Sequence, residues 1–252
     1  MDHDCNKNRL NTRSLHVSCS DCSLNSICLP VAVQEKELNQ LDSIIKRSKP
    51  LKKGEHLFRA GDPFGSIYAV RSGSIKTYSV TEDGEEQVTG FYLPGEVLGI
   101  DGINTNNHSN SGKALEAAAV CEIPFDKLEM LSAKIPTLQR HFFQLMSKEI
   151  QADQQLIMLL SKKSAEERIA ALLMSISTRN GRRGLSVDGF RLSMSRNDIG
   201  NFLGLAVETV SRVFTRLQKQ GVIHVDGKEV DVLNMQALCH LSNGTDSTAK
   251  SA

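Results

Sequence analysis

The sequence predicts an α+β chain: an N-terminal antiparallel β-roll, then a long helix, then a small helical domain. Three observations lead there. From about 51 to 124 the apolar residues fall in short alternating runs (SIYAV, GSIKTYSV, EQVTGFYL and KALEAAAVCEI) broken by Gly and Pro. Beyond Pro124 the spacing changes to three and four residues, the helical period. Residues 1–30 are polar, rich in Asn, Ser and Cys, and show neither period.

The 252 residues suffice for two domains with real cores. A 40% apolar, 23% charged composition fits a globular protein rather than a disordered one. No run is long enough to cross a bilayer, and the N-terminal stretch has no apolar signal core, so the expected location is the cytoplasm. In that compartment the six cysteines are not expected to form structural disulfides. The expected divisions are a cysteine-rich segment at 1–30, a roll at 31–134, a helix at 135–161, a C-terminal domain at 162–240 and a disordered tail at 241–252.

Leu38, Leu41, Ile44 and Ile45 predict a short amphipathic helix before the roll. Within the roll, turns are expected at Ala60-Gly61-Asp62-Pro63, Ser72-Gly73, Asp83-Gly84 and Pro94-Gly95. Asp83-Gly84 lies between two alternating runs, which is a hairpin signal. A strand is predicted over Leu115–Ile123, with Cys121 sharing the parity of Leu115, Ala117, Ala119 and Ile123.

The long helix, Pro136 to Leu160, carries a heptad seam. Phe143, Ile150 and Ile157 occupy one seam position, and Met146, Asp153 and Leu160 the other. Such a seam needs a partner, either the chain's own roll or a second copy; the length and spacing favour a parallel two-fold dimer. Asp153 interrupts it. In a symmetric dimer its carboxylate would face its own copy, at a cost of about a few kcal/mol unless one takes up a proton. That is poor chemistry for a constitutive dimer and suitable chemistry for a marginal, switchable one.

Ser164 with Glu167 forms a capping box for the next helix, whose apolar side is Ile169, Ala170, Leu172, Leu173 and Ile176 and whose end is expected at Asn180-Gly181. In the stretch 193–222, Ser195 caps a helix containing Ile199, Phe202 and Leu203, Gly204 supplies a turn, and a second helix runs to Gln220 before Gly221. Two helices joined by a short Gly-bearing turn make a helix-turn-helix. Val210, Val213, Phe214 and Leu217 form its inward stripe. Glu208, Ser211 and Arg212 lie together on the first exposed turns, where recognition helices touch base edges. Arg grips guanine, Glu accepts from cytosine, and Ser adapts. Arg196, Arg216 and Lys219 are better placed for phosphates. The run VIHVDGKEVDVL predicts a hairpin, the wing of a winged helix-turn-helix. Charge agrees: Lys162–Lys228 holds twelve Lys/Arg against six Asp/Glu, a local surplus of six, although the whole chain is only +1.

Cys19, Cys22 and Cys28 are spaced C-x2-C-x5-C. Thiolates this close can wrap a metal centre, and the pattern admits zinc, a four-iron cluster or a redox thiol switch. A fourth ligand could come from Cys5, Cys121 or Cys239, with His3 and His16 as further candidates for zinc.

Taken together, the C-x2-C-x5-C-x92-C spacing, the seam helix, LLSKKSAEERIAALL and DIGNFLGLAVETVSRVF resemble the Crp/Fnr family of regulators over about Cys19 to Leu238. The resemblance implies one [4Fe-4S] cluster per subunit, held by Cys19, Cys22, Cys28 and Cys121. It implies an oxygen-responsive transcription regulator, not an enzyme, whose intact-cluster form is a homodimer binding an inverted repeat of TTGAT-type half-sites. Glu208, Ser211 and Arg212 match the family's base-reading positions, and Ile150 and Asp153 its dimer-switch positions. The turn Asp83-Gly84-Glu85 matches a surface that touches RNA polymerase.

Two positions depart from the pattern. Ala206 stands where a hydroxyl residue is common, forfeiting an N-cap of about 0.5–2 kcal/mol, and Phe143 replaces a usual Met. Relatives that bind cyclic nucleotides clamp the phosphate with an Arg-Ser pair. After Pro94-Gly95-Glu96 this chain reads VLGIDGINTNNHSNSGKALEA, without Arg, so no cyclic nucleotide is expected.

Overall fold

A computed structural model of the chain describes residues 18–244. His3, Cys5 and His16 lie outside the described residues, as does most of the expected tail.

The chain opens with a 3-10 turn, Leu29–Ala32, and helix α1, Glu35–Ile44, capped by a box between Gln34 and Glu37. Eight strands follow: β1 (Lys46–Arg47), β2 (His56–Phe58), β3 (Ser66–Ser72), β4 (Ile75–Val80), β5 (Glu86–Tyr92), β6 (Val97–Leu98), β7 (Ser111–Ala114) and β8 (Ala119–Pro124). They form two antiparallel four-stranded sheets, ordered β1-β8-β3-β6 and β2-β7-β4-β5. Phe58, Val70, Ile75, Leu98, Ala114, Ala118 and Val120 fill the space between the sheets. This is the expected β-roll. Asp83-Gly84 makes the β4–β5 hairpin, with Gly84 at φ 81°.

The strand predicted over Leu115–Ile123 does not run unbroken. The chain leaves one sheet at Ala114 and joins the other at Ala119. The apolar alternation hides the crossing, because Leu115 and Ala118 are buried there as they would be in a strand.

Helix α2 (Phe125–Lys134) leads into α3 (Pro136–Lys162), about 40 Å long at 1.5 Å per residue. Its base is packed: Leu138 joins Leu29, Leu41, Ile67, Ala69, Ile123 and Leu128 in a second core, bordered by Phe142 and Leu145.

The C-terminal domain consists of α4 (Ala165–Arg182), β9 (Gly189–Arg191), α5 (Arg196–Leu203), α6 (Val207–Lys219), β10 (Ile223–Asp226), β11 (Glu229–Val232) and α7 (Met235–Asn243). The Ser164–Glu167 capping box is present. Helix α4 does not stop at Asn180-Gly181 but runs to Arg182. Asn180 is buried, its carbonyl accepts from the Arg183 and Leu185 amides, and the left-handed glycine is Gly184. Likewise α7 extends to Asn243, inside the expected tail. The Asn234 side chain caps it, and Leu238 anchors it in the core.

Candidate nucleic-acid interface and cysteine site

Helices α5 and α6 form the predicted helix-turn-helix. Ser195 accepts from the Asp198 amide and Asp198 reaches back, a complete capping box. Two glycines allow the tight turn. Gly204 sits at φ 62°, and a Cβ on Gly200 would lie 2.5 Å from the Leu205 carbonyl oxygen. Ala206 caps α6 without a side-chain bond, as its residue type dictates.

Val210, Val213, Phe214 and Leu217 are buried, while Glu208, Ser211, Arg212, Thr215 and Lys219 are exposed on the opposite face. Ser211 Oγ donates to the Val207 carbonyl at 2.9 Å, leaving its lone pairs outward. Arg212 leans on Thr209 Oγ1 at 3.3 Å, a contact weak enough to yield to a base. The wing is present as the β10–β11 hairpin, with Gly227 at φ 57°. Two of the residues assigned to phosphates are already engaged within the chain. Arg196 stacks 3.3 Å over the Phe214 ring, and Arg216 pairs with Glu166 at 3.1 Å.

Two residues that sequence reasoning missed position this element. Arg168 donates to the carbonyls of Leu160 (2.7 Å), Lys163 (2.9 Å) and Leu203 (2.9 Å), tying the ends of α3 and α5 together. A cation suits those helix C-termini. Asn201 docks α5 on the β4–β5 hairpin: its amide donates to the Glu86 carbonyl and its Oδ1 accepts from the Val88 amide. Beside it Lys76 reaches Asp198 at 2.9 Å and Glu86 at 3.0 Å. Burial alone would raise the Asp198 carboxyl, but bonds from Ser195 and Lys76 outweigh it and hold Asp198 below its usual range.

At the other end of the roll, the four predicted cysteines come from two segments. Cys19, Cys22 and Cys28 lie on the loop before and into the first 3-10 turn, and Cys121 lies on β8. Cys121 is within electrostatic range of Cys19, Cys22 and Cys28. Cys239 sits on α7, in the other domain, against Asn243. Among the described residues no three His, Cys, Asp or Glu side chains take up the geometry of one shared metal ion. Burial pushes the Cys19 thiol up to about 12, with Asp42 adding to it, and pushes Cys28 to about 12 as well. Burial of this kind favours the neutral thiol, and a neighbouring cationic centre favours the thiolate.

One cation does reach them. Arg47, directly across from Cys121 in the β1–β8 ladder, points Nη2 at Cys19 Sγ (3.8 Å) and at Asp42. Asp42 in turn accepts from the Cys19 amide at 2.8 Å. The Arg47 side chain is 8% exposed, and its Nε and Nη1 are buried without a partner among the described residues. Buried donors are normally satisfied. Guanidinium hydrogens beside the Cys19 sulfur and across the ladder from Cys121 suit a bound polyanion, so the residues fit an iron–sulfur centre in charge and donor chemistry.

The seam of α3 is uncovered. Phe143, Ile150 and Ile157 are 57%, 57% and 65% exposed, and Asp153 is exposed in the same stripe. Glu149, one turn before Asp153, accepts from Tyr92 of β5. In the roll, Glu96, following Pro94-Gly95, is held by Arg179 of α4 at 2.7 Å, and Lys113 of β7 pairs with Glu86 at 3.7 Å.

A β-roll joined by a long helix to a winged helix-turn-helix defines a bacterial DNA-binding transcription regulator. The family model for bacterial regulatory proteins of the Crp family matches residues 192–223, and that for the cyclic nucleotide-binding domain matches 48–134. The transcriptional activator protein Anr of Pseudomonas aeruginosa is 56% identical over 226 residues, covering 90% of this chain and 93% of its own length. The fumarate and nitrate reduction regulatory protein of Escherichia coli K12 is 48% identical over 241 residues, covering 96% of each chain. The solved structure of FixK2 from Bradyrhizobium japonicum superposes with a TM-score of 0.72 at 28% identity, covering 79% of this chain and 97% of its own. The chain therefore belongs to the Crp/Fnr family, and within it to the relatives named for anaerobic regulation. It is a transcription regulator, not an enzyme.

Proposed function

We propose that the chain is an oxygen-responsive regulator in which one [4Fe-4S] cluster per subunit, ligated by Cys19, Cys22, Cys28 and Cys121, promotes dimerisation and operator binding. The observation that carries this reading is the meeting of cysteines from two distant segments beside one buried arginine. When bound, the cluster supplies an oxygen-labile inorganic core.

The chain's own residues supply the response. Cys28 and Cys121 border the core that holds Leu138, Phe142 and Leu145 at the base of α3. Gathering the four thiols tightens this core and sets the angle at which α3 leaves the roll. The uncovered Phe143, Ile150 and Ile157 stripe then meets its copy. Asp153 opposes that pairing, so the coupling need supply only about 1–3 kcal/mol to decide it. In the dimer two recognition helices lie about one helical turn of DNA apart, and Glu208, Ser211 and Arg212 of each read a half-site of an inverted repeat.

The exposed turn Asp83-Gly84-Glu85 meets RNA polymerase, and the protein acts in the cytoplasm. Binding of a cyclic nucleotide is not part of this reading, since Glu96 is committed to Arg179 and β7 offers Lys113 but no Arg.

The test is anaerobic purification with iron and acid-labile sulfide counting, followed by sedimentation and operator binding before and after air. The expected result is a cluster-bearing dimer that becomes a weakly binding monomer in air, with Asp153→Ala dimeric in both. A preparation lacking sulfide, equal operator binding after cluster loss, or a monomeric Asp153→Ala protein overturns the reading.

A further inference from the structure

Arg47 has a place in the structure that its own fold does not account for. Strand β1 is two residues long, and Arg47 faces Cys121 across the ladder. Its guanidinium carries five N–H donors in a rigid fork. Nη2 serves Asp42 and the Cys19 sulfur. The Nε hydrogen and both Nη1 hydrogens are buried with no acceptor among the described residues. Asp42 holds the fork in place from behind and binds the Cys19 amide as well. The pair thus ties a sulfur-bearing loop, a helix end and a strand into one rigid unit.

We infer that Arg47 is a positioning residue for the cluster, aiming its free N–H groups at cluster or cysteinyl sulfur and setting the reduction potential of the centre. This rests on the cluster reading proposed above. N–H···S bonds and a nearby positive charge stabilise the more negative oxidation state, and so raise the potential. Without them the centre gives up electrons more readily and is lost faster in air. The same fork explains why a cation occupies a buried site that an apolar side chain would fill more cheaply in the metal-free protein.

The experiment compares anaerobically loaded wild type, Arg47→Met and Arg47→Lys. Potentials are measured by spectroelectrochemistry, bleaching in air by absorbance, and metal-free stability by thermal melting. In Arg47→Met the reduced-to-oxidised ratio at a fixed potential falls about tenfold or more, a downward shift of about 59 mV per tenfold for one electron, and bleaching accelerates. Arg47→Lys keeps the charge and loses the fork, so it falls between the two; if Arg47→Met does not fold, the shift in Arg47→Lys alone decides. Variants that carry full iron and sulfide at the wild-type potential overturn the role of Arg47 and leave the cluster standing, and lower metal-free stability without a shift in potential does the same. Wild type without sulfide overturns both.

Discussion

The recognition helix and the cysteine site differ in how local their parts are. Helix α6 presents its surface from one element: its apolar stripe is buried, its ends are stopped, and Glu208, Ser211 and Arg212 face outward. The cysteine site is assembled from several: Cys19, Cys22 and Cys28 come from the loop before the roll, Cys121 from β8, and Asp42 and Arg47 from α1 and β1. Burial raises the Cys19 and Cys28 thiols, while Arg47 draws Cys19 the other way. A surface built from one helix is set by its own sequence, whereas a site gathered from distant segments depends on the packing that holds them together.

The largest effect that could break this contrast is at Cys121. Cys121→Ser changes one atom at a half-buried position, so the melting temperature of the metal-free protein should stay within a few degrees. Iron retention and the oxygen dependence of operator binding should vanish altogether. Retained iron, measured after anaerobic desalting, would show that Cys121 is not one of the ligands.

A smaller effect is expected on the recognition helix. Arg212→Met should weaken operator binding by about 1–3 kcal/mol and relax preference at one base pair per half-site. Binding titrations against single-position operator variants measure this. Uniform weakening across all sequences would reassign Arg212 to a phosphate.

The smallest effect sharpens the link between the two regions. Burial, with Asp153 and Glu96 nearby, raises the Glu149 carboxyl, while Tyr92 and Arg179 pull it the other way. A raised carboxyl pKa means that the folded chain binds the proton more tightly than the unfolded chain. Its contribution to stability is therefore full below the unfolded pKa and lost as pH rises through the folded one, by about 1.4 kcal/mol for each tenfold gain in proton affinity on folding. Glu149→Gln should remove the loss of thermal stability as pH rises above the ordinary carboxylate range, and an unchanged profile would remove Glu149 from the account.

Local features were legible in the sequence because local spacing encodes them. The α6 stripe, the Ser164 and Ser195 caps and both Asp-Gly hairpins are each specified within a few neighbouring residues. The C-x2-C-x5-C spacing was equally plain, but Cys121 was only one of three candidates until the resemblance selected it. What stayed hidden depends on distant packing. Arg47 sits on a two-residue strand, too short for any period, and its partner Cys121 is 74 positions away. Arg168 and Asn201 look like ordinary polar helix residues, and their roles arise from carbonyls on other elements. The crossing after Ala114 is hidden because Leu115 and Ala118 are buried there as strand residues would be.

The docking of α5 on the β4–β5 hairpin has a further consequence. Tyr78, Val88, Phe91 and Leu115 of the roll share one apolar cluster with Ile199, Leu203, Val213 and Phe214 of the C-terminal domain. Phe91 and Phe202 meet ring to ring at 5.1 Å across the boundary. Domains whose interiors are continuous melt as one cooperative unit. A calorimetric trace of the monomer would then show a single peak for both domains, and heat that frees the reading head would also dissolve the roll beneath it.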